Sequence, residues 1–181
     1  MPAEVMVRGE AEVRTLPDRA LINVAIEGEG TTQQDAFRRA SESASRIDAV
    51  VEKFAAAFDR RITSSVVVRP KTRWKKGEST TTGWIATRTT SLDVKDLTAL
   101  GRLISELPGA GASSLQGPFW RVDQSNDAYS TARRLAARDA YRRATAYADA
   151  LGLRLGGVSW IAEPGCGTTG RSPRGAMRLQ E

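Results

Sequence analysis

Residues 126–152 constrain the fold of this chain more than any other stretch. Their alanines recur at every fourth position, which places one small, apolar stripe along a helix. The stripe consists of Ala132, Ala136, Ala140, Ala144 and Ala148, and Tyr147 and Leu151 continue the same side. Asn126 and Asp127 suit a helix start, and Gly152 suits a left-handed helix end. Because no long side chain stands on the stripe, we expect this helix to pack closely against a sheet as a scaffold.

The composition is ordinary for a globular protein: 181 residues, 40% hydrophobic and 27% charged. A chain of this size can form one well-buried domain, or two small lobes sharing a sheet, which we predict over residues 1–163. No apolar run approaches the length of a membrane span, and the first residues lack the pattern of a signal peptide, so the predicted location is cytoplasmic. Residues 164–181, rich in Gly, Ser and Arg, are predicted to be a flexible basic tail.

The periodicity along the chain predicts both strands and helices. The strands are expected at 5–13, 20–30, 62–74, 80–94, 113–122 and 155–161, and the helices at 32–58, 97–107 and 126–152. We expect the first two strands to form an antiparallel pair, and 62–94 to form a long hairpin. The order ββαββαβαβ is typical of an α+β fold, with mainly antiparallel sheet and with two long helices and one short helix packed on one side.

The residues that usually carry catalysis are scarce. The chain has no histidine and one cysteine, Cys166, so an internal disulfide is excluded and zinc and general-base chemistry lose their commonest residue. Glu27 and Glu29 lie on one side of a strand, where an exposed strand end explains them better than an acid–base or metal pair. We therefore predict no catalytic residue, no metal and no cofactor, with a redox role for Cys166 as a minor alternative.

The most suggestive charged stretch spans residues 60–76, which contain basic residues, Trp74 and no acidic residue. Arginine and lysine beside an aromatic ring are typical of a groove that binds single-stranded nucleic acid, and the net charge of +6 favours anionic partners. The same side chains would equally protect an exposed edge strand from unwanted pairing. The candidate interaction residues are Arg69, Lys71, Arg73, Trp74, Lys75, Lys76 and Trp84.

Motifs along residues 5–163 resemble the SIMPL family, also called the DUF541 family. They are Val7-x-Gly9-Glu10-Ala11, Pro17-Asp18-x-Ala20, Thr32 with Ala36, Pro70, Gly83-Trp84-x-Ala86, and Leu151-Gly152-x-x-Leu155-Gly156-x-Val158. At Gly83-Trp84 the family more often has Gly-Tyr. The resemblance implies an α+β domain, large ring or channel-like homo-oligomers in some members, and a loose association with oxidative stress or the cell envelope. It brings no catalytic residues, and many relatives carry an export signal.

We therefore expect a non-enzymatic SIMPL-like protein that acts through self-assembly or through binding another protein, without membrane insertion. The alternative is a nucleic-acid or anion-binding module that uses the basic 60–76 stretch. The strands of the predicted hairpin are longer than the usual 3–10 residues or so of a globular sheet, and part of it should therefore extend beyond the body of the fold. We expect Trp74 and Trp84 to be exposed there as a homo-oligomer contact.

Overall fold

The computed structural model describes residues 4–75 and 78–163. The chain divides into two units, Arg14–Asn126 and Met1–Val13 with Asp127–Glu181. The single domain expected over residues 1–163 stays a prediction, and the tail expected at 164–181 lies outside the described residues.

The larger unit is an antiparallel sheet with helices on one face. Its strands are β1 (Arg19–Gly30), β2 (Phe58–Thr63), β3 (Val67–Lys75), β4 (Glu78–Val94) and β5 (Ser114–Arg121), and its helices are α1 (Gln33–Lys53) and α2 (Leu100–Glu106). The strand order is β2-β4-β1-β5, and β3 also pairs with β4. The smaller unit contains α3 (Asp127–Ala150). The predicted α+β class with mainly antiparallel sheet is confirmed.

The core of the larger unit lies on one face of β1 and β4. Alternate residues of β1 are buried there, and apolar residues of α1 and α2 pack on the same core, so both helices cover the same face of the sheet. The buried side chains include Ile22, Ile26, Ile47, Val51, Leu92, Leu103 and Leu107. Helix α1 begins as predicted, because Thr32 Oγ1 accepts from Asp35 N (3.1 Å) and donates to Asp35 Oδ2 (2.9 Å).

Helix α1 lies unusually close to β1, because glycine occupies the point of contact. A Cβ on Gly28 would overlap the backbone of Ala36 and Ala40 and would lie 2.9 Å from Ala40 Cα. Ala36 and Ala40 are buried with Ala86 of β4 in a small cluster. Small residues on both sides therefore set the distance between helix and sheet at this end of the fold.

The smaller unit uses the same arrangement of glycine against alanine. A Cβ on Gly9 would overlap Ala136 O and would lie 2.8 Å from Ala140 Cβ, and Glu10 N donates to Asp139 Oδ2 at 3.0 Å. The alanine stripe therefore packs closely, as predicted, but it contacts the segment around Gly9, which is not a strand, and not the sheet that we expected.

The end of α3 also follows the prediction. Gly152 has φ of 67°, its N–H donates to Asp149 O (3.0 Å), and Leu153 N donates to Ala148 O (2.9 Å). These two bonds form a Schellman motif. In contrast, Tyr147 and Leu151, which were predicted to extend the apolar side of the helix, are exposed.

Two predicted strands do not form. Residues 5–13 and 155–161 are in neither helix nor strand. The expected pair of 5–13 with 20–30 is wrong, because β1 has β4 along one edge and β5 along the other. Over residues 20–25 both edges of β1 are thus already hydrogen-bonded, and residues 5–13 have no edge there with which to pair.

Three further elements differ in their limits, and the first is α1, which ends at Lys53 and not at residue 58. The predicted strand 62–74 is split into β2 and β3, which pair with successive parts of β4. Helix α2 begins at Leu100 and not near residue 97. Asp96 Oδ1 accepts from Thr98 N (3.0 Å) and Thr98 Oγ1 (2.6 Å), so Asp96 closes a turn that precedes the helix.

Candidate functional site

The hairpin of β3 and β4 extends beyond the end of β1. The last residue of β1, Gly30, lies opposite Trp84, whereas β4 begins at Glu78 and remains paired with β3 to its start. We call residues 72–75 and 78–82 the hairpin arm. The arm is a two-stranded ribbon, since within the described chain no strand pairs with the side of β4 that faces away from β3 there. The expectation that the hairpin extends past the body of the sheet is confirmed.

The register of the arm contains one bulge. Lys71 lies opposite Gly83, and the next residue of β3, Thr72, lies opposite Thr81. Thr82 is therefore an extra residue of β4, and its Oγ1 donates to Lys71 O at 3.1 Å. Strand β3 itself is regular and keeps the alternation of its side chains.

This alternation separates the basic side chains of β3 from its apolar ones. Val68 packs on the small cluster beneath α1, so even-numbered residues of β3 face the helix side of the sheet. Arg69, Lys71 and Arg73 accordingly lie on the opposite face, and all of them are exposed. We call these three residues the basic face.

Only part of the basic face is neutralised. Lys71 Nζ lies 2.5 Å from Glu29 Oε2; Lys71 lies opposite Gly83 of β4 and Glu29 lies opposite Ile85, so the contact runs diagonally across β4. Among the side chains that the structure describes, no carboxylate pairs with Arg69 or Arg73. The arrangement can therefore attract an anion at two points on one strand.

Arg61, another cation of the basic stretch, has a structural partner on the helix side. It pairs with Asp48 of α1, and so does Arg88 of β4. Their charges bind α1 to the sheet, so they do not enlarge the basic face. The sequence does not separate Arg61 from the other cations of the 60–76 stretch, because it does not show which of them lies near a carboxylate.

The two tryptophans of the hairpin differ in exposure. Trp74 is 73% exposed, as predicted. Trp84 is half-buried and packs on Ala36, Ala40 and Ala86, so its predicted exposure is wrong. The alanines of α1 leave room for the indole ring, which explains the difference. The side chain of Lys75, and Lys76 altogether, lie outside the described part of the structure.

The described surface beyond the hairpin has separate acidic side chains and a depression on α1. Within residues 4–75 and 78–163 no group of three or more acidic, cysteine or histidine residues is placed to hold a metal ion. Glu29 is engaged with Lys71, and Glu27 N donates to Ser113 Oγ (2.8 Å). A shallow depression on α1 is lined by exposed residues of that helix alone, including Phe37, Arg38 and Glu42. None of the helices in the described chain is long and apolar enough to cross a bilayer.

Two carboxylates with a lowered pKa, Asp18 and Asp123, lie just before β1 and just after β5. The Asn126 amide donates to Asp18 Oδ2 (2.7 Å) and Asp123 N donates to Asp18 Oδ1 (2.7 Å), and these bonds lower the pKa of Asp18. Bonds from the Ser125 hydroxyl and N–H lower the pKa of Asp123, with a smaller contribution from Arg19. The cluster connects the start of β1 to the end of β5.

The family model of SIMPL, a protein of unknown function (DUF541), matches residues 5–181. The chain belongs to the SIMPL family. It is also similar to two proteins named "26 kDa periplasmic immunogenic protein", from Brucella melitensis biotype 1 and Brucella abortus strain S19. Each is 26% identical over 170 residues, which cover 90% of this chain and 67% of the relative. This SIMPL chain thus has the family predicted from its motifs.

Two features of the arm were missed in the sequence. The bulge at Thr82 is hidden in a run of threonines, and the contact of Lys71 with Glu29 joins residues that are distant in the chain. Gly83 is the residue in the sequence that could have indicated an irregularity at this point of the strand. A glycine inside a predicted strand indicates a bulge or a close approach of another group, and both occur here.

Proposed function

We propose that this SIMPL protein acts without catalysis, by binding protein subunits, and copies of itself first, through the hairpin arm. The observation that carries the proposal is that β4 and β3 continue past Gly30 as a ribbon with an exposed tryptophan. A ribbon of two strands is only marginally stable by itself in water. Packing against a neighbouring subunit would stabilise it and would remove Trp74 from water.

The energetic argument rests on Trp74. Burying a tryptophan removes about 150–250 Å² from water, and tryptophan is enriched among residues that dominate interfaces. Trp74 lies on the helix side of the arm, opposite to the basic face. An apolar contact there would leave Arg69 and Arg73 solvated.

Light scattering after size exclusion tests the proposal. We expect the parent to be oligomeric and Trp74→Ala to shift it toward monomer with an unchanged far-UV spectrum. Trp120→Ala is the matched control, because Trp120 is also an exposed tryptophan but belongs to β5. A parent that is monomeric at high concentration, or an oligomer that Trp74→Ala leaves intact, would contradict the proposal. Trp84 is not suitable for this test, since its removal would create a cavity beside α1.

Binding of single-stranded nucleic acid is the second candidate function. It is supported by the basic face, where Arg69 and Arg73 are exposed and Lys71 lies between them. Alternate residues of a strand are about 6.6–6.8 Å apart, so the three cations follow a line along which a chain of phosphates could lie.

Fluorescence anisotropy with a labelled oligonucleotide, measured over a range of salt, tests this candidate. We expect Arg69→Glu with Arg73→Glu to weaken binding at least tenfold and to reduce the salt slope, by about 0.7 for each phosphate that is no longer neutralised. Arg134→Glu with Arg138→Glu changes the net charge equally on α3 and is the control. Equal losses of affinity in both double variants would show that net charge alone is responsible.

The cellular location is a separate part of the proposal. The names of the two Brucella relatives favour export of this protein, which differs from the cytoplasmic location that we expected from the sequence. Fractionation of cells that produce the protein from its own gene distinguishes the two. Recovery with periplasmic marker proteins would support export. The association with oxidative stress stays a prediction from the resemblance.

A further inference from the structure

We propose that two copies of this chain join by antiparallel pairing of the outer edge of β4 in the hairpin arm, with Thr80 on the two-fold axis. This inference rests on the proposed function, because it specifies which surface of the arm binds the second copy. It predicts one continuous sheet, in which the order at the contact is β3, β4, β4 of the partner subunit, and β3 of the partner subunit.

The two edges of the arm differ in how well they are protected. The outer edge of β3 contains Pro70, which lacks an N–H, and the cations Lys71 and Arg73. Proline and charged residues are the usual protection of an edge strand against pairing. The outer edge of β4 over residues 79–82 is Ser-Thr-Thr-Thr, which has no proline and no charge and is rich in a β-branched residue. Strand β1 pairs with this side of β4 only as far as Gly30, which lies opposite Trp84, so β1 does not cover residues 79–82.

The direction of the backbone groups follows from bonds farther along β4. Both the N–H and the C=O of one strand residue face the same neighbour, and successive residues face opposite neighbours. Thr89 faces the β2–β3 side, since Thr89 N donates to Ser64 Oγ (3.0 Å) and Thr89 O accepts from Ser64 N (2.8 Å). The alternation then places Gly83 on the β3 side as well.

The bulge reverses this alternation. Thr82 is the extra residue, so beyond it Thr80 faces β3 while Ser79 and Thr81 direct their N–H and C=O groups outward. These groups have no backbone partner among the described residues. The arm thus presents an edge with two outward-facing residues, Ser79 and Thr81, one on each side of Thr80.

Such an edge is complementary to itself. In a two-fold pair centred on Thr80, Ser79 would pair with Thr81 of the partner subunit, and Thr81 with the partner subunit's Ser79, giving about four backbone hydrogen bonds. The two Thr80 residues would form the closer, non-hydrogen-bonded pair, with Cα atoms about 4.5 Å apart.

The basic face does not oppose this contact. Arg73 lies opposite Thr80 in the arm, so in the four-stranded sheet the two Arg73 residues would be three strand spacings, or about 14 Å, apart. That exceeds the screening length of about 8–10 Å at moderate salt. The cations would lie on the two outer strands, where they protect the remaining edges of the arm.

Disulfide cross-linking tests the axis at Thr80, in a background with Cys166→Ser. The expected Cα separation lies within the range of about 4.4–6.8 Å that disulfides span. We expect Thr80→Cys to form a covalent dimer under mild oxidation, and Thr72→Cys to remain largely uncrosslinked. Thr72 is the matched control, because it lies on β3 opposite Thr81 and thus on the other edge of the arm.

Proline substitution tests the hydrogen bonds. Thr81→Pro and Thr72→Pro each remove an outward-facing N–H, from opposite edges of the same ribbon. We expect Thr81→Pro to reduce the apparent affinity of the dimer at least tenfold in sedimentation velocity, and Thr72→Pro to change it less than threefold.

The outcomes separate this inference from the function on which it rests. An oligomeric parent whose Thr80→Cys variant does not cross-link, or in which both prolines act equally, overturns the Thr80 axis and leaves assembly through the arm standing. A monomeric parent overturns both. If the parent does not pair with itself but binds another protein, and Thr81→Pro weakens that binding, then the partner at this edge is not a second copy of the chain.

Discussion

At the scale of single residues, glycine determines how closely the layers of this protein approach. Gly28 allows α1 to lie on β1, Gly9 allows its own segment to lie on α3, and Gly83 lies against the backbone of Gly30. In each case the neighbour is backbone or a short side chain. A methyl group at Gly9 or Gly28 would therefore meet atoms that cannot rotate away.

Gly28→Ala should destabilise the fold by about 1–3 kcal/mol, because its Cβ would overlap the backbone of α1. Gly101→Ala is the control. It lies on the exposed side of α2 with no atom within 4 Å of its Cβ, and it should stabilise by about 0.5–1 kcal/mol through helix propensity. Urea denaturation of both variants provides the measurement. Equal midpoints for Gly28→Ala and the parent would show that α1 is farther from β1 than described.

Asp18 and Asp123 should make stability depend on pH. Hydrogen bonds, chiefly from Asn126 and Ser125 respectively, lower the pKa of each below its ordinary value of 3.8. The unfolded chain then binds protons at a higher pH than the folded chain does. The stabilisation is fully present above about pH 5 and is lost as pH falls through the folded pKa values.

Denaturation midpoints measured from pH 7 to pH 3 check this expectation. The parent should lose stability toward acid, whereas Asp18→Asn and Asp123→Asn should start lower at pH 7 and differ less from the parent as the pH falls toward 3. Curves that run parallel to that of the parent would contradict the assigned role of these carboxylates.

At the scale of elements, α3 shows how a pattern of residues becomes a contact. Its alanine stripe is the least exposed side of the helix, with Ala144 and Ala148 buried, and Gly9 lies at Ala136 and Ala140. Asp139 accepts from Glu10 N and pairs with Arg142 and Arg143, which adds a polar connection beside the stripe. The helix therefore holds the segment around Gly9 through both its alanines and one carboxylate.

Ala140→Leu should cost about 1–3 kcal/mol of stability, because it adds three carbons where the Gly9 segment lies. Ala137→Leu, on the exposed side of the same helix, should change stability by about 0.5 kcal/mol or less. Thermal and urea denaturation of the two variants separate the contact from helix propensity. Similar costs for both would mean that the alanine stripe packs on nothing.

At the scale of the whole molecule, the arm is the part of the larger unit that the rest of the fold covers least. It has strands but no covering layer beyond β1, whereas the core between the sheet and the two helices is buried without help. Assembly through the arm should therefore add to the stability of a body that already folds alone.

The melting temperature of the parent should rise with protein concentration, by about 1–3 °C for each tenfold increase, since only the folded chain assembles. Trp74→Ala should melt at a temperature independent of concentration and close to that of the parent at high dilution. A parent whose melting temperature does not change over three decades of concentration would contradict assembly.

The sequence by itself determined the features that depend on neighbours along the chain. The Thr32 cap, the apolar face of α1 and the left-handed Gly152 all follow from residue types at fixed spacings. The family motifs are of the same kind. Each records a local requirement of the backbone, and such requirements can be read without knowing the fold.

The tertiary structure alone decided which elements pair and which side chains are covered. The period of residues 5–13 shows an extended segment with one apolar side, but it does not say that both edges of β1 are already occupied. Trp84 is half-buried and Trp74 exposed because α1 places its alanines over only one of them. Hydrogen-bond partners and burial depend on groups far apart in the chain, and a local pattern does not contain their positions.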